Sequence, residues 1–323
     1  MMTGYWVAQM IHVAARLGIA DYLAAGPKST AELARLTGTH AESLYRMLRA
    51  LAGAGIFQEQ GPREFALTPL ADLLRSEVPG SQRGLALMMG DEHYKAWAEL
   101  MYSVRTGRPA YDLVVGKPVF EFMQEHPEKA ADFDAAMLSI HGAETAAMIE
   151  AYDFSTVQVL ADVGGGNGST LAGVLAAHPK MRGVLIDLPA VIDRARSFLK
   201  KNPVSSRCQF VGADFFQSIP PGADTYMMRH IIHDWDDTRS HLILTHTRKA
   251  MPRGGKLLIV EHVIEAGNAP SFAKMLDVNM LVIPGGKERT ADAYDRLLDE
   301  AGFVLTRIVP TNQGVSVIEA KTA

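Results

Sequence analysis

Residues 160–175 read LADVGGGNGSTLAGVL: an apolar run, four glycines within five positions, and a second apolar run. Glycines 164, 165, 166 and 168 let the backbone turn sharply and approach a ligand closely, because no Cβ intervenes. This is a strand-to-helix turn. The dinucleotide fingerprint G-x-G-x-x-G would require glycine at 169, where the chain has Ser169. The spacing is instead acidic-x-G-x-G-x-G, with Asp162 followed by Gly164, Gly166 and Gly168. An acid at the strand end suits accepting a hydrogen bond from a cationic or amine-bearing ligand rather than cradling a pyrophosphate. An ordinary tight turn would explain the glycines alone, so the surroundings must decide.

Working outward from about residue 155, the chain alternates strand and helix patterns. The strand candidates are VQVLADV, GVLID, CQFVGA, TYMMRH, KLLIVEH, VLTRIV and VSVIEA, with helical patterns expected between the first five. That rhythm predicts an α/β, doubly wound, Rossmann-like parallel sheet. The last two strands are joined by PTNQG, too short for a helical crossover, and are expected to form an antiparallel hairpin. Ligands on such sheets sit outside the carboxyl ends of the strands. Asp187 ends the second strand, 23 residues beyond Gly164, where doubly wound folds place a carboxylate for ribose hydroxyls. Asp214 ends the third strand and precedes Phe215 and Phe216, a carboxylate for an adenine amine beside rings that can stack on the base. A strand-end carboxylate can also merely cap the next helix. Three acids at three successive strand ends favour an adenosine-containing cofactor.

The 323-residue chain is long for one simple domain, and with 48% hydrophobic residues it can bury at least one sizeable core. Three segments are expected: a winged-helix dimerisation domain over 1–90, a helical linker over 91–150, and a catalytic domain over 151–323. In the first, Ser29 with Glu32 and Thr39 with Glu42 read as capping boxes opening two short helices, and IFQEQ, GP and REFALT read as a hairpin. A winged helix usually suggests DNA. Residues 1–90, however, carry eight basic and seven acidic side chains, and the second helix offers only Arg46 and Arg49. A DNA reader should show a basic face there, so packing or dimerisation is the expected use and a DNA-binding regulator a weak rival. The net charge of −4 gives no general attraction for nucleic acid or anionic lipid. The single cysteine, Cys208, excludes an intrachain disulfide. Neither a signal peptide nor a run of about 18 apolar residues is readable, and a cytoplasmic location is expected.

DVGGGNG, IDLP, GADFF, RHIIHDWDD and GGKERT, in this order behind a winged-helix segment, resemble the S-adenosylmethionine-dependent O-methyltransferases of the plant caffeate, acetylserotonin and bacterial polyketide type. The resemblance covers nearly the whole chain. It implies that the glycine turn holds the amino-acid part of S-adenosylmethionine, with Asp187 on the ribose, Asp214 and Phe215 around the adenine, and Leu188 and Arg229 near the cofactor. The product would be S-adenosylhomocysteine. Members of that family usually carry further residues before GYWVAQMIHVAARLGIADYL, forming a helix that intertwines with a partner subunit, so this exchange is expected to be shortened or absent here while a homodimer is retained.

The fourth strand candidate runs out into His230, His233 and three acids. A histidine at a strand's carboxyl end can act as general base, since a pKa near 6.5 leaves it mostly neutral at pH 7. The resemblance assigns that role to His233, immediately before Asp234-Trp235, with Glu261 and Glu288 flanking it; Glu288 could instead pair locally with Lys287 or Arg289. A carboxylate on the far ring nitrogen would fix the tautomer and stabilise the imidazolium. His230 is expected to be structural. Two histidines at i, i+3 off a strand are expected not to share a face, and no metal site is expected. Asp236 or Asp237 should cap the following helix. Trp97, Met101, Met137, His141, Asp234, Met275, Asn279 and Met280 suggest a largely apolar acceptor site. The expected activity is methyl transfer to a small aromatic hydroxyl compound. A relative that binds the cofactor without methylating is the alternative, since fold does not fix function.

Overall fold

The computed structural model describes residues 2–323. The chain divides into two compact units, Met1–Ala98 with Glu125–His141, and Glu99–Gln124 with Gly142–Ala323.

The first unit is helical with a small antiparallel sheet. Strands β1 (Lys28–Ser29), β2 (Phe57–Gly61) and β3 (Glu64–Leu67) run in the order β1-β3-β2, and the β2-β3 hairpin turns at Gly61-Pro62-Arg63 as the sequence suggests. Its core is built from Ile19, Leu33, Leu44, Leu48, Leu51, Phe57 and Phe65. Ser29 caps the helix Thr30–Thr37, its Oγ accepting from the Glu32 N–H at 3.2 Å. The second expected cap is corrected. His40, not Thr39, opens the helix Ala41–Gly53, its Nδ1 accepting from the Ser43 N–H, because the Thr39 hydroxyl is paired with that of Thr37 at 2.8 Å.

The second unit carries the large sheet. Its strands are β4 (Val159–Val163), β5 (Arg182–Asp187), β6 (Cys208–Gly212), β7 (Thr225–Arg229), β8 (Lys256–His262), β9 (Phe303–Pro310) and β10 (Val315–Thr322). They lie in the order β6-β5-β4-β7-β8-β10-β9, parallel from β6 to β8, with β10 antiparallel to both its neighbours. Alternate residues feed opposite faces, as a sheet buried on both sides requires. Ala161, Ile186, Tyr226, Met228, Leu257 and Ile259 pack with Ile243, Leu244 and Leu297. Leu160, Leu185, Met227, Leu258 and Val260 pack with Leu171, Val174, Ile192 and Leu199 on the other side.

One expected crossover helix is absent. Residues 213–224 join β6 to β7 without a helix, because Asp214 opens a turn by accepting from the Phe216 N–H at 2.8 Å and Pro220-Pro221-Gly222 follows. Proline lacks the N–H a helix interior needs. The order of the sheet reverses direction between β4 and β7, so the carboxyl ends of those strands open the crevice in which such folds bind ligands.

Candidate active site

The glycine turn leaves β4 at Asp162-Val163 and is pinned to the neighbouring strand by the Gly164 N–H, which donates to the Ile186 carbonyl at 2.8 Å. Gly166 has a left-handed backbone, φ +57°, and a Cβ built there would touch nothing within 4 Å. The position faces open space. Its N–H donates to Asp187 Oδ2 at 2.9 Å, while Asp187 Oδ1 accepts from the Leu188 N–H at 2.7 Å, so Asp187 shapes the turn from the next strand. Gly168 then opens the helix Ser169–Ala177, whose first N–H groups point back at the turn. Asp162 is buried, and its Oδ2 has no hydrogen-bond partner among the described residues. Burial drives its pKa up, with Arg229 opposing and Asp187 adding, to about 7. Beyond β6, the ring of Phe215 stands edge-on to Phe216 at 4.8 Å and to Trp235 at 6.2 Å.

Arg229 ends β7 in a buried network. Its guanidinium donates to Thr145 Oγ1 and Thr170 Oγ1, each at 2.7 Å, and to Glu144 Oε2 at 2.8 Å. His230 Nε2 reaches the same Glu144 oxygen at 2.9 Å. Glu144, Thr145 and Thr170 carried no mark in the sequence, since what selects them is their distance from Arg229 in space. His230 adopts φ +52°, and this bend brings its ring to 5.0 Å from that of His233. The expectation that the two histidines point apart is therefore wrong, because the strand has already ended.

His233 is buried, and its Nδ1 lies 2.6 Å from Glu288 Oε1. A carboxylate only accepts, so Nδ1 carries the proton and Nε2 is the nitrogen left for chemistry. Asp234 Oδ1 stands 3.6 Å from Nε2. Burial alone would lower the imidazole pKa, but Asp234, Glu288 and Glu261 together hold it up to about 10. The expected, mostly neutral imidazole at pH 7 is thus corrected: three surrounding carboxyl groups favour the protonated ring. Burial raises Asp234 in turn, against the pull of His233, to about 7.

The two glutamates divide their work. Glu288 holds the ring, and its own N–H donates to Asp277 Oδ1 at 2.9 Å. Glu261 instead holds backbone: Oε1 accepts from the N–H groups of Ile231, Ile232 and His233 at 3.1, 2.7 and 3.1 Å, and Oε2 accepts from the Tyr294 hydroxyl. Lys287 and Arg289 pair with Asp237, which leaves Glu288 to His233. Asp236 caps the helix Asp237–Ala250, accepting from the Arg239 N–H at 2.8 Å.

The acceptor candidates fall in both units. Trp97, Met137 and His141, all half-buried, belong to the first. In the second are half-buried Asp234, Met101 with its side chain largely in solvent, and three residues of the helix Phe272–Val282. There Met275 is exposed and Asn279 half-buried one turn on, while Met280 is buried.

Residues 1–77 match the O-methyltransferase dimerisation domain and residues 97–304 the O-methyltransferase domain. The chain is 44% identical to a phenazine O-methyltransferase of Lysobacter antibioticus over 99% of its own length and 94% of the relative's. It is 36% identical to a mitomycin biosynthesis 6-O-methyltransferase of Streptomyces lavendulae, covering 100% of this chain and 93% of the other. Among solved structures, an O-methyltransferase from neocarzinostatin biosynthesis, in complex with S-adenosylmethionine and 2-hydroxy-5-methyl naphthoic acid, superposes with a TM-score of 0.86 at 32% identity, over 98% of this chain and 96% of that one.

Proposed function

Since the chain belongs to the O-methyltransferase family, we propose that it transfers a methyl group from S-adenosylmethionine to the hydroxyl of a small aromatic acceptor, with His233 as general base. The observation that carries this reading is the buried imidazole whose Nδ1 is fixed by Glu288 at 2.6 Å, leaving Nε2 beside Asp234 at the carboxyl edge of the sheet. What supports the cofactor is an orphaned acceptor, Asp162 Oδ2, next to a turn whose Gly166 faces open space. A buried carboxylate oxygen without a donor suits an amino group, and a Cβ-free turn suits close approach. Asp187 and Leu188 are assigned to the ribose, and Asp214 and Phe215 to the adenine. Arg229, engaged with Glu144, Thr145 and Thr170, is assigned to supporting the wall behind Asp162. Residues 1–77 are proposed to pair two copies of the chain into a homodimer in the cytoplasm, with the winged-helix segment serving dimerisation.

S-adenosylmethionine, when bound, supplies an electrophilic methyl group on a sulfonium that leaves as a neutral thioether, and its positive charge opposes the imidazolium. His233 takes the hydroxyl proton of the acceptor at Nε2 and leaves the acceptor oxygen as nucleophile. A phenol has a pKa of about 10. An imidazole held up to about 10 makes that transfer nearly level, where an ordinary histidine near 6.5 would leave it several kcal/mol uphill. The carboxylates therefore lend His233 the basicity of a much stronger base. Asp234, Met101, Met275 and Asn279 are proposed to contact the acceptor.

Titration calorimetry with S-adenosylmethionine, followed by incubation with hydroxyphenazines, hydroxynaphthoates and simpler phenols, tests this directly. Binding with release of S-adenosylhomocysteine is expected for at least one fused-ring phenol. Binding with no release across the panel would defeat the transfer reading, and no binding would defeat the reading of the glycine turn.

A further inference from the structure

The loop Ile231–Trp235, which carries His233, is held on both its amide and its carbonyl side. On its amide side, Glu261 Oε1 accepts three consecutive N–H groups while Oε2 accepts from the Tyr294 hydroxyl. On its carbonyl side, the buried Arg289 guanidinium donates to the Ile232 carbonyl at 3.1 Å and the Trp235 carbonyl at 3.0 Å, and to Ser240 Oγ at 3.1 Å. The His233 carbonyl accepts from the Lys287 N–H at 2.8 Å. Gly286 permits that contact, since a Cβ there would lie 2.0 Å from the His233 oxygen. The bend at His230, φ +52°, is a conformation that strains a non-glycine residue and persists only where the surroundings enforce it.

We infer that Tyr294 and Arg289 are positioning residues for His233: Tyr294 keeps Glu261 seated on the loop amides, and Arg289 ties down the loop carbonyls, so that the imidazole is fixed against its carboxylate neighbours. The inference rests on His233 being the base of the proposed transfer. The groups facing His233 are Asp234 on its own loop, His230 immediately after β7, Glu261 on β8, Glu288 and Arg289 on the segment after Phe272–Val282, and Tyr294 on the helix Ala291–Glu300. Of these, Tyr294 hydrogen-bonds Glu261 and does not touch the ring. A carboxylate that loses a donor is held less firmly. The loop amides seated on it then shift, the contacts of the imidazole with Asp234 and Glu288 loosen, and the imidazole gives up its proton at lower pH.

The test is a pH titration of the His233 imidazole by ¹⁵N NMR in the ligand-free protein, assigned by the signal missing from His233→Ala. Tyr294→Phe is expected to lower the midpoint by about half a unit or more, as a loosened contact with a neighbouring carboxylate does. Tyr152→Phe is the control, since the Tyr152 hydroxyl donates to Glu319 Oε2 at 2.6 Å elsewhere in the same unit. It should leave the His233 midpoint in place. Arg289→Lys keeps the charge but loses the fork, and should lower kcat about tenfold or more with acceptor KM within a few-fold, as misplacement of a catalytic group does. Should Tyr294→Phe not fold, Arg289→Lys still reads the clamp from the carbonyl side. A midpoint unmoved in Tyr294→Phe, one moved equally in Tyr152→Phe, or Arg289→Lys turning over like wild type would overturn the inference. The NMR midpoint needs no methyl transfer, so a protein that methylates nothing defeats the proposed function and leaves this result to be judged by itself.

Discussion

Two buried tyrosine–carboxylate pairs in the second unit use the same residue types to opposite ends. At the outer strands, Glu319 Oε2 accepts from the Tyr152 hydroxyl at 2.6 Å and from the Arg307 guanidinium at 2.9 Å. Beneath the His233 loop, Glu261 accepts from Tyr294 and from three amides, but the nearby Arg289 donates to carbonyls and to Asp237 instead. Burial would raise both carboxylates. At Glu319 the Tyr152 and Arg307 hydrogen bonds outweigh it and the pKa falls below its ordinary value, whereas at Glu261 burial wins, reinforced by Glu288, and the pKa rises. A direct cation makes the first pair a clasp. Withholding one makes the second a reservoir of negative charge around an imidazole, which is unfavourable for folding and useful for taking a proton.

The sharpest way to break this contrast is by activity. His233→Ala should lower turnover by about 100-fold or more, the typical loss of a general base, while cofactor affinity measured by calorimetry stays nearly intact. Glu319→Gln should leave turnover within a few-fold of wild type, for its carboxylate faces Tyr152 and Arg307 rather than the site. Equal losses in the two variants would erase the distinction.

The second test is the pH dependence of kcat/KM. With the imidazole held up to about 10 by Asp234, Glu288 and Glu261, its neutral form is scarce at pH 7 and grows as pH rises. The rate should therefore climb by up to about tenfold per pH unit above neutrality, as for a base that must first lose its proton, before levelling. A plateau already reached near pH 7 would mean that the carboxylates do not act on His233 as the geometry implies.

How much of this was legible beforehand differs between the same two regions. The strands and the glycine turn are written locally, in apolar runs and in positions where only glycine fits, and they fold as read. The cradle of Glu261 is not local. It depends on the β7-β8 register that pairs Arg229 with Val260, so that the next residue on β8, Glu261, meets the chain just as it leaves β7. Proximity to His233 came from resemblance, but the attachment to three amides could not, because a linear sequence does not record which way a side chain turns. Arg289 and Gly286 lay inside GGKERT, yet only Glu288 was marked, since a carboxylate beside a histidine has an obvious chemical use and an arginine on carbonyls does not. Tyr294 carried no signal at all. The crossover without a helix at 213–224 is written in Pro220-Pro221-Gly222, a local break that the alternating strand-helix rhythm masks.

The smallest expected effect concerns stability, and its sign discriminates. Glu319 has a lowered pKa in the folded protein, so its contribution is present above the ordinary glutamate value of 4.5 and is lost as pH falls through the folded value. Glu319→Gln should lower the urea midpoint at pH 7, by an amount equivalent to about 1 kcal/mol for weakened buried hydrogen bonds, and the deficit should shrink below pH 4. Glu261 has a raised pKa, so its contribution is present below 4.5 and is lost as pH rises through the folded value; at pH 8 the ionised group is a burden. Glu261→Gln keeps an acceptor for the loop amides and removes the charge, and should leave the midpoint at pH 8 unchanged or higher while turnover falls. A carboxylate whose loss weakens the enzyme without weakening the fold is held there for its field, and a midpoint that dropped in both variants alike would make Glu261 one more clasp.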